Sequence, residues 1–307
     1  MALLNFRRRE TGPTPSGGQV APFLADFSIE VMPRTAANVE DFRALLPEGT
    51  RVYIAHIEGT PIDDMVATAA RLAADGFRVM PHFPARVIAD EATLRDWIAR
   101  YRGEADVREA LVLAGGVAQP VGAFHSSMQL LETGAFEDAG FTRLHVAGHP
   151  EGNRDIDADG GMKAVSEALV WKQEYARHSS AEMAIVTQFV FEASPVIAWA
   201  ERLRAEGITL PIHIGIAGPA KLQTLIKFAI ACGVGPSLRV LERRAMDVTK
   251  LLLPYEPTEV VAALAAYKAA NPDFTVEKVH VFPLGGIRTS AEWAATHGQR
   301  PSAAAAI

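Results

Sequence analysis

Along most of the chain, short runs of β-forming residues alternate with longer segments in which apolar residues recur at helical spacing. Leu94, Trp97, Ile98 and Tyr101 show this helical spacing within Ala92–Tyr101. The eight runs that predict strands are Phe27–Val31, Arg51–Ala55, Phe77–His82, Ala110–Ala114, Arg143–Ala147, Met183–Phe189, Leu210–Gly215 and Val279–Leu284. Eight strand–helix units whose strands are apolar on both faces predict an α/β fold, a single (β/α)8 TIM barrel, rather than a doubly wound open sheet.

The two ends of the chain do not share this alternation. The barrel is predicted over residues 26–297, with extra helices before the last strand within residues 239–270. Residues 1–25 are predicted to be a flexible extension, because Gly, Pro, Ser and Thr are frequent from Glu10 to Pro22, and residues 298–307 a disordered tail. No export signal is recognisable, and the apolar runs are shorter than the roughly 18 residues of a membrane helix. We therefore expect a soluble, cytoplasmic protein that does not bind membranes.

Charge and cysteine content narrow the expected partners. The 307 residues include 30 Lys and Arg against 36 Asp and Glu, a net charge of −6. This sign is unfavourable for a protein that neutralises phosphates, so nucleic acid is not an expected partner. Cys232 is the single cysteine, which excludes an intrachain disulfide and cysteine-based zinc or iron–sulfur sites.

The strongest candidate for chemistry is Glu30, which lies inside the apolar first strand. A barrel carries its functional side chains at the C-terminal ends of its strands, and Glu30 falls at such an end. Burial disfavours the charged carboxylate and raises its pKa, so Glu30 is predicted to be a general acid. The alternative is that Glu30 forms a buried ion pair or caps a loop.

Histidines end several of the other strands. A metal site built from His82, His149 and His213 is not favoured, because they show no tight ligand spacing and no carboxylate-rich motif accompanies them. We expect no metal, a pocket or cofactor contact for His82 and His149, and a core position for His213.

Three further features each allow two interpretations. Gly115–Gly116 is either a plain turn or a place where a flat ligand approaches the backbone. Gln188 ends the sixth strand and either binds a polar ring edge or bonds to loop backbone. Lys172, on a predicted helix, is by itself most simply a solvated surface lysine.

The strand-end motifs, taken in order, resemble those of the methylenetetrahydrofolate reductase family, whose members are flavin enzymes built on a (β/α)8 barrel. The resemblance covers residues 26–297. Its segments are Phe27–Pro33 (FSIEVMP), Met80–Phe83 (MPHF), Ala147–Asn153 (AGHPEGN), Ile185–Glu192 (IVTQFVFE), Ile212–Phe228 and Val279–Leu284.

The resemblance implies a role for each matching residue. Glu30 would protonate the folate on its pterin-side nitrogen, with Gln188, Leu222 and Arg288 binding the substrate. Non-covalent FAD is the implied cofactor and NAD(P)H the second redox partner. The residues implied to contact the cofactor are His56, His82, Ala114, Gly115, Gly116, His149, Asn153 and Lys172.

The sequence also departs from the family pattern. Ala114, Gly115 and Gly116 replace a usual Arg-Gly-Asp after the fourth strand. His149 and Asn153 replace a tyrosine and a histidine, and Leu222 replaces a stacking phenylalanine. The usual asparagine-arginine pair falls at Gly285–Gly286, so that Arg288 is displaced by two residues. A missing carboxylate near the flavin would raise its potential and favour oxidation of methyl groups on folate.

The expected function is therefore flavin-dependent interconversion of 5,10-methylenetetrahydrofolate and 5-methyltetrahydrofolate. The direction would be methyl oxidation in one-carbon catabolism rather than only supply of methyl groups for methionine biosynthesis. Two alternatives remain: flavin-independent hydride transfer between nicotinamide and folate on the same barrel, and a non-catalytic folate-binding protein.

Overall fold

The protein is a closed barrel of eight parallel strands, which confirms the predicted (β/α)8 fold. A computed structural model describes residues 17–233, 239–242 and 254–298. The strands pair in chain order, and the first closes the barrel against the eighth through Ser28 beside His280 and Ile29 beside Val281. The strands are Ser28–Val31 (β1), Arg51–Ile54 (β2), Arg78–Pro84 (β3), Glu109–Leu113 (β4), Arg143–Gly148 (β5), Glu182–Val190 (β6), Ile212–Ala217 (β7) and Val276–Phe282 (β8).

Helices lie outside the barrel and connect its strands. Local signals set their ends: the Asp90 carboxylate accepts a bond from the Thr93 N–H where the fourth helix starts, and Asp106 ends it in the left-handed region at φ 45°. The helices are Gly17–Leu24 (α1), Pro33–Ala36 (α2), Ile62–Ala74 (α3), Glu91–Ala105 (α4), Ser127–Glu132 (α5), Ala135–Asp138 (α6), Lys163–His178 (α7), Ala193–Ala205 (α8), Leu222–Ala231 (α9), Thr258–Ala270 (α10) and Ile287–Gly298 (α11).

Both faces of each strand are covered, as the apolar strand sequences predict. In β3 the Phe83 ring points outward and meets the rings of Tyr101, Phe136 and Phe141 at 5.0–6.3 Å. The adjacent His82 points the other way, towards the barrel interior, where its ring lies near Tyr53. Alternation along β3 therefore places Phe83 under the helices and His82 in the lumen.

The N-terminal extension is partly structured, which corrects the prediction for residues 1–25. Residues 17–24 form α1, which packs against α10, α11 and β8 and buries Phe23 and Leu24. The Gly/Pro-rich composition did not predict this helix. Its apolar residues pack onto elements that are distant in sequence, and composition does not show such packing. Residues 1–16 and the predicted tail after Gly298 lie outside the described residues.

The extra helices expected before β8 are present in part. Residues 239–242 are helical, and α10 follows over Thr258–Ala270, while 243–253 lie outside the described residues. Among the described helices, none is both long enough and apolar enough to cross a membrane.

Charged side chains close the N-terminal end of the barrel. The buried Arg51 guanidinium donates to Glu109 at 2.6 Å (Nε) and 3.1 Å, and Arg143 lies 3.6 Å from the same carboxylate. Asp26 binds Arg78 at 2.5 Å and also Lys278. This end is therefore filled by ion pairs, and the polar residues at the other end remain available for ligands.

Candidate functional site

Glu30 lies near the C-terminal end of β1 between two imidazoles. Its Oε2 atom is 3.2 Å from Nε2 of His82 on β3 and 3.7 Å from Nε2 of His280 on β8. The Glu30 side chain is 18% exposed and that of His280 is completely buried. This cluster forms only when the barrel closes, because closure places the last strand, β8, next to the first strand, β1.

The predicted upward shift of the Glu30 pKa is wrong. Burial does raise the pKa, but His280 and His82 favour the ionised form more strongly and lower the pKa to about 2. Glu30 is therefore a carboxylate at neutral pH. The sequence indicated its burial but not the two imidazoles, which come from β3 and β8.

A serine orients the second imidazole. Ser28 Oγ lies 2.9 Å from Nδ1 of His280, and the two residues are register partners of β1 and β8. When the serine hydroxyl donates to Nδ1, the proton of the neutral ring is on Nε2, which faces Glu30. Burial lowers the pKa of His280, and the Glu30 charge opposes this.

The lumen below Glu30 holds further polar rings. The Tyr53 hydroxyl is 2.5 Å from Nδ1 of His145, and the His145 ring packs edge-on against His213 at 4.7 Å. All three residues are buried, so the core position predicted for His213 is confirmed. Burial lowers the pKa of His213 to about 3, which keeps its ring neutral.

Gln188 lies at a bulge near the end of β6. The register between β6 and β7 shifts between Val186 and Phe189, and the Gly215 N–H donates to the Thr187 hydroxyl at 2.9 Å. The Gln188 side-chain oxygen accepts a bond from the Phe189 N–H at 3.2 Å. Gln188 thus bonds to backbone, which was one of the two interpretations of this residue. Its amide NH2 is available to donate to a ligand.

A small cavity next to Gln188 brings together residues predicted for cofactor and substrate. Its volume is about 70 Å³. The residues that line it come from the loop after β5, the C-terminal end of β6 and the two residues after α9: His149, Pro150, Glu151, Gly152, Asn153, Gln188, Phe189, Val190, Cys232 and Gly233. In this loop the Asn153 side chain accepts a bond from the Asp155 N–H at 2.8 Å.

Lys172 is buried, so the surface interpretation is wrong for this residue. It is 5% exposed, and its ammonium group donates to the Ala147 carbonyl at 3.0 Å. Burial lowers the Lys172 pKa to about 8. The pKa of His149 is lowered to about 4, first by burial and then by the Lys172 charge. Within the described part of the chain, no carboxylate pairs with this lysine.

His56 lines a second, larger cavity of about 230 Å³. Its ring stacks on Trp97 at 4.9 Å, and its Nε2–H donates to the Thr60 carbonyl at 3.0 Å. Burial lowers the pKa of His56. The other residues around this cavity are Ile57, Glu58, Gly59, Val87, Val117, Gln119 and Val121.

The predicted strand-four residues form the loop after β4. Gly115 has φ +91°, and a Cβ there would lie 2.9 Å from Cβ of Pro84, so a turn and a close approach both require glycine. Open space surrounds the Cβ direction of Gly116. The Ala114 carbonyl accepts a bond from the Arg86 N–H at 2.9 Å.

The two remaining substrate candidates differ in exposure. Leu222 begins α9, is 4% exposed, and packs in a cluster with Phe189 and Tyr255. Arg288 is exposed in the first turn of α11, after β8. Neither residue touches Glu30 in an interaction that the structure records.

Sequence reasoning missed Ser28, Tyr53, His145 and His280. A usable signal existed, since His280 interrupts an apolar strand as Glu30 does. In the described residues, no three His, Cys, Asp or Glu side chains are arranged to hold a metal ion.

Comparison with known proteins shows the fold. No family model matches the chain. A solved structure of an uncharacterized protein from Clostridium thermocellum that binds two copies of 5-methyl-5,6,7,8-tetrahydrofolic acid is similar with a TM-score of 0.57. The two chains are 12% identical, and the similarity covers 90% of this chain and 95% of the other.

The carboxyl transferase domain of Rhizobium etli pyruvate carboxylase is a more distant match. Its structures with oxalate and with pyruvate give TM-scores of 0.41 and 0.43 at 10% identity. This chain spans 52% and 54% of the length of those chains. Fold and site together define a (β/α)8 barrel with a histidine-flanked carboxylate at its C-terminal end.

Proposed function

We propose that the protein is a tetrahydrofolate-dependent oxidoreductase that interconverts 5-methyltetrahydrofolate and 5,10-methylenetetrahydrofolate and works in the methyl-oxidising direction. The observation that carries this proposal is the Glu30 carboxylate at the barrel mouth, 3.2 Å from His82 and 3.7 Å from His280. Because its pKa is lowered to about 2, Glu30 is ionised at neutral pH and can accept the proton that methyl oxidation releases, as a weak base.

Two further observations support folate as the substrate. The motifs around Glu30, His82 and Gln188 resemble those of methylenetetrahydrofolate reductases, as described above. The Clostridium thermocellum protein with the same fold binds a methylated tetrahydrofolate.

The chemistry assigns Glu30 a defined proton. Loss of hydride from the N5-methyl group leaves an iminium carbon on N5, which N10 then attacks to close the imidazolidine ring. N10 must lose its proton in this step, and the Glu30 carboxylate accepts it. In the reverse direction the same proton returns to N10, because the carbon stays on N5 and its bond to N10 is the one that breaks. The proton therefore belongs to N10 and not to the pterin-side nitrogen.

The imidazoles hold Glu30 in the form that this step needs. His280 faces the carboxylate, and when Ser28 donates to its Nδ1 the proton of the neutral ring is on Nε2, next to Glu30. The free amide NH2 of Gln188 provides a donor for the pterin ring edge. Substrate binding would exclude water from the Glu30 site and so strengthen these contacts.

FAD is the proposed hydride acceptor, with NAD(P)H as the second redox partner. The residues fit an anionic flavin nucleotide in two respects: Lys172 is a buried cation without a carboxylate partner in the described residues, and the space beside Gly116 is open. Lys172 on α7 and His149 in the loop after β5 would hold it, together with Gly115 and Gly116 in the loop after β4. When bound, FAD would supply reversible two-electron hydride chemistry.

One observation favours direct hydride transfer between folate and nicotinamide as a second candidate. The cavity at His149, Asn153 and Gln188 has a volume of about 70 Å³, below the roughly 300–1,000 Å³ of common ligand pockets. A site of this size holds a flavin ring only after the loops move. The role of Glu30 towards N10 is the same in both candidates.

The test is a single anaerobic experiment on the purified protein. Its visible spectrum is recorded, 5-methyltetrahydrofolate is added, and then NAD+. The proposal predicts flavin bands that bleach on addition of folate and recover with NAD+. NADH formation without flavin bands would select direct transfer. Folate binding without any turnover would overturn the enzymatic proposal and leave a folate-binding protein.

A further inference from the structure

Tyr53 separates the two imidazoles that flank Glu30. It is the register partner of Glu30 across β1 and β2 and is completely buried. Its ring centroid is 4.4 Å from that of His280 and 6.3 Å from that of His82. Any movement of this ring would therefore change the room available to both imidazoles.

The Tyr53 hydroxyl is anchored from the far side of the lumen. It lies 2.5 Å from Nδ1 of His145 on β5, and His145 packs against His213 on β7. Burial lowers the pKa of His145, so this ring is neutral, and one hydrogen bond joins the Tyr53 hydroxyl to its Nδ1. Residues from β2, β5 and β7 thus form one connected row of rings.

We propose that Tyr53 is a positioning residue for the reaction proposed above: anchored by His145, its ring fixes the spacing of His82 and His280 around the Glu30 carboxylate. The inference rests on the proposed function for its catalytic consequence. Its structural part, the link from His145 through Tyr53 to the two imidazoles, stands on the distances alone.

Packing alone does not explain a tyrosine at this position. Barrel interiors are filled mainly by branched apolar side chains, and a buried hydroxyl is costly unless it is bonded. Tyr101 on α4 gives the contrast. It is also completely buried and packs on Phe83 at 5.4 Å, but its hydroxyl has no hydrogen-bond partner in the described structure. Tyr101→Phe is therefore a matched control.

The experiment compares four single variants of the whole protein, and the double variant Tyr53→Phe/His145→Leu, with wild type. Tyr53→Phe and His145→Leu each break the anchor, and His145→Asn retains an acceptor near the position of Nδ1. We expect Tyr53→Phe and His145→Leu to lower kcat for 5-methyltetrahydrofolate oxidation about 10-fold with KM within about twofold, since small misplacements of catalytic groups act on kcat. The double variant should lose no more than either single variant. His145→Asn and Tyr101→Phe should remain near wild type.

A spectroscopic readout separates this inference from the proposed function. The ¹⁵N resonances of the His82 and His280 side chains should shift in Tyr53→Phe and His145→Leu but not in Tyr101→Phe. If wild type shows no folate turnover, the proposed function fails while the resonances still test the positioning. Resonances and kcat that change equally in Tyr53→Phe and Tyr101→Phe, or in neither, would overturn the inference.

Discussion

At the residue scale, Lys172 has the setting that most clearly calls for a ligand. A lysine that is 5% exposed normally pairs with a carboxylate, yet its recorded partner is one carbonyl oxygen, that of Ala147. Burial lowers its pKa to about 8, so it is still mainly cationic at neutral pH. An anionic group of a cofactor would compensate this charge.

Lys172→Met is expected to weaken FAD binding while leaving kcat at saturating FAD nearly unchanged. A hydrogen bond to a charged group contributes about 1.5–3 kcal/mol, which corresponds to roughly 10–100-fold in the dissociation constant. Equilibrium dialysis measures the dissociation constant of FAD. The control is Lys163→Met, which replaces an exposed lysine at the start of the same helix. Equal affinities for FAD in the two variants would show that Lys172 has a structural role and does not bind the cofactor.

The chemistry of single residues was only partly predictable from the sequence. Glu30 stood out because a carboxylate inside an apolar strand is costly. The direction of its pKa shift could not be predicted, since it depends on His82 and His280, which are 52 and 250 residues away along the chain. Burial of Lys172 could not be predicted for the same reason: the carbonyl group that its ammonium group binds is that of Ala147 on β5.

At the scale of elements, the bulge in β6 needs a glycine beside it. A Cβ on Gly215 would lie 2.5 Å from the Thr187 carbonyl oxygen and 2.6 Å from that of Gln188. Both oxygens belong to the backbone of the bulge, so they could move away from a Cβ at position 215 only if Gln188 moved as well. The neighbouring strand therefore fixes the position of a candidate substrate contact.

Gly215→Ala is expected to lower the free energy of unfolding by about 1–3 kcal/mol through overpacking. Gly103→Ala is the opposite control, because nothing lies near its Cβ direction in α4 and alanine favours a helix by about 1 kcal/mol. Urea titrations of both variants give the comparison. A Gly215→Ala protein as stable as Gly103→Ala would show that the bulge is not rigid.

The elements themselves were largely predictable. All eight strands are where alternation predicts them, with bounds that differ by at most three residues. A run such as Met183–Val186 is apolar at every position, and only strands buried on both faces require this. Helix α1 was missed, because its packing on α10 and α11 is a tertiary effect that composition does not show.

At the scale of the whole molecule, the barrel interior makes stability depend on pH. Burial lowers the pKa values of His145, His213 and His280, so each stays neutral in the folded state while the unfolded chain binds a proton below about pH 6.5. The unfolded state then gains protons that the folded state does not. Stability is therefore lost as the pH falls below 6.5. Glu30, with its lowered pKa, adds a further loss between its unfolded value of 4.5 and about 2.

For His213, with a pKa of about 3, the loss between pH 6.5 and pH 5 is about 2 kcal/mol. His213→Gln should remove this part of the pH dependence. His178→Gln, at an exposed position, should leave it unchanged. Denaturant titrations at pH 7 and pH 5 measure the difference, and an identical pH dependence in the two variants would contradict a neutral buried His213.

In the proposed reaction Glu30 acts on folate and not on the redox partner. Glu30→Gln should slow net reduction of the cofactor by 5-methyltetrahydrofolate about 10²–10⁴-fold, because the iminium ion takes the hydride back unless N10 loses its proton and closes the ring. Reduction of the same cofactor by NADH should stay within about twofold of wild type, since no proton of N10 is involved. Glu48→Gln, an exposed carboxamide variant before β2, controls for the loss of a carboxylate.

The most direct measurement is stopped-flow spectroscopy of these two half-reactions in wild type, Glu30→Gln and Glu48→Gln. We expect only the folate half-reaction of Glu30→Gln to be slow. Loss of both half-reactions to the same extent, or an unchanged folate half-reaction in Glu30→Gln, would contradict it.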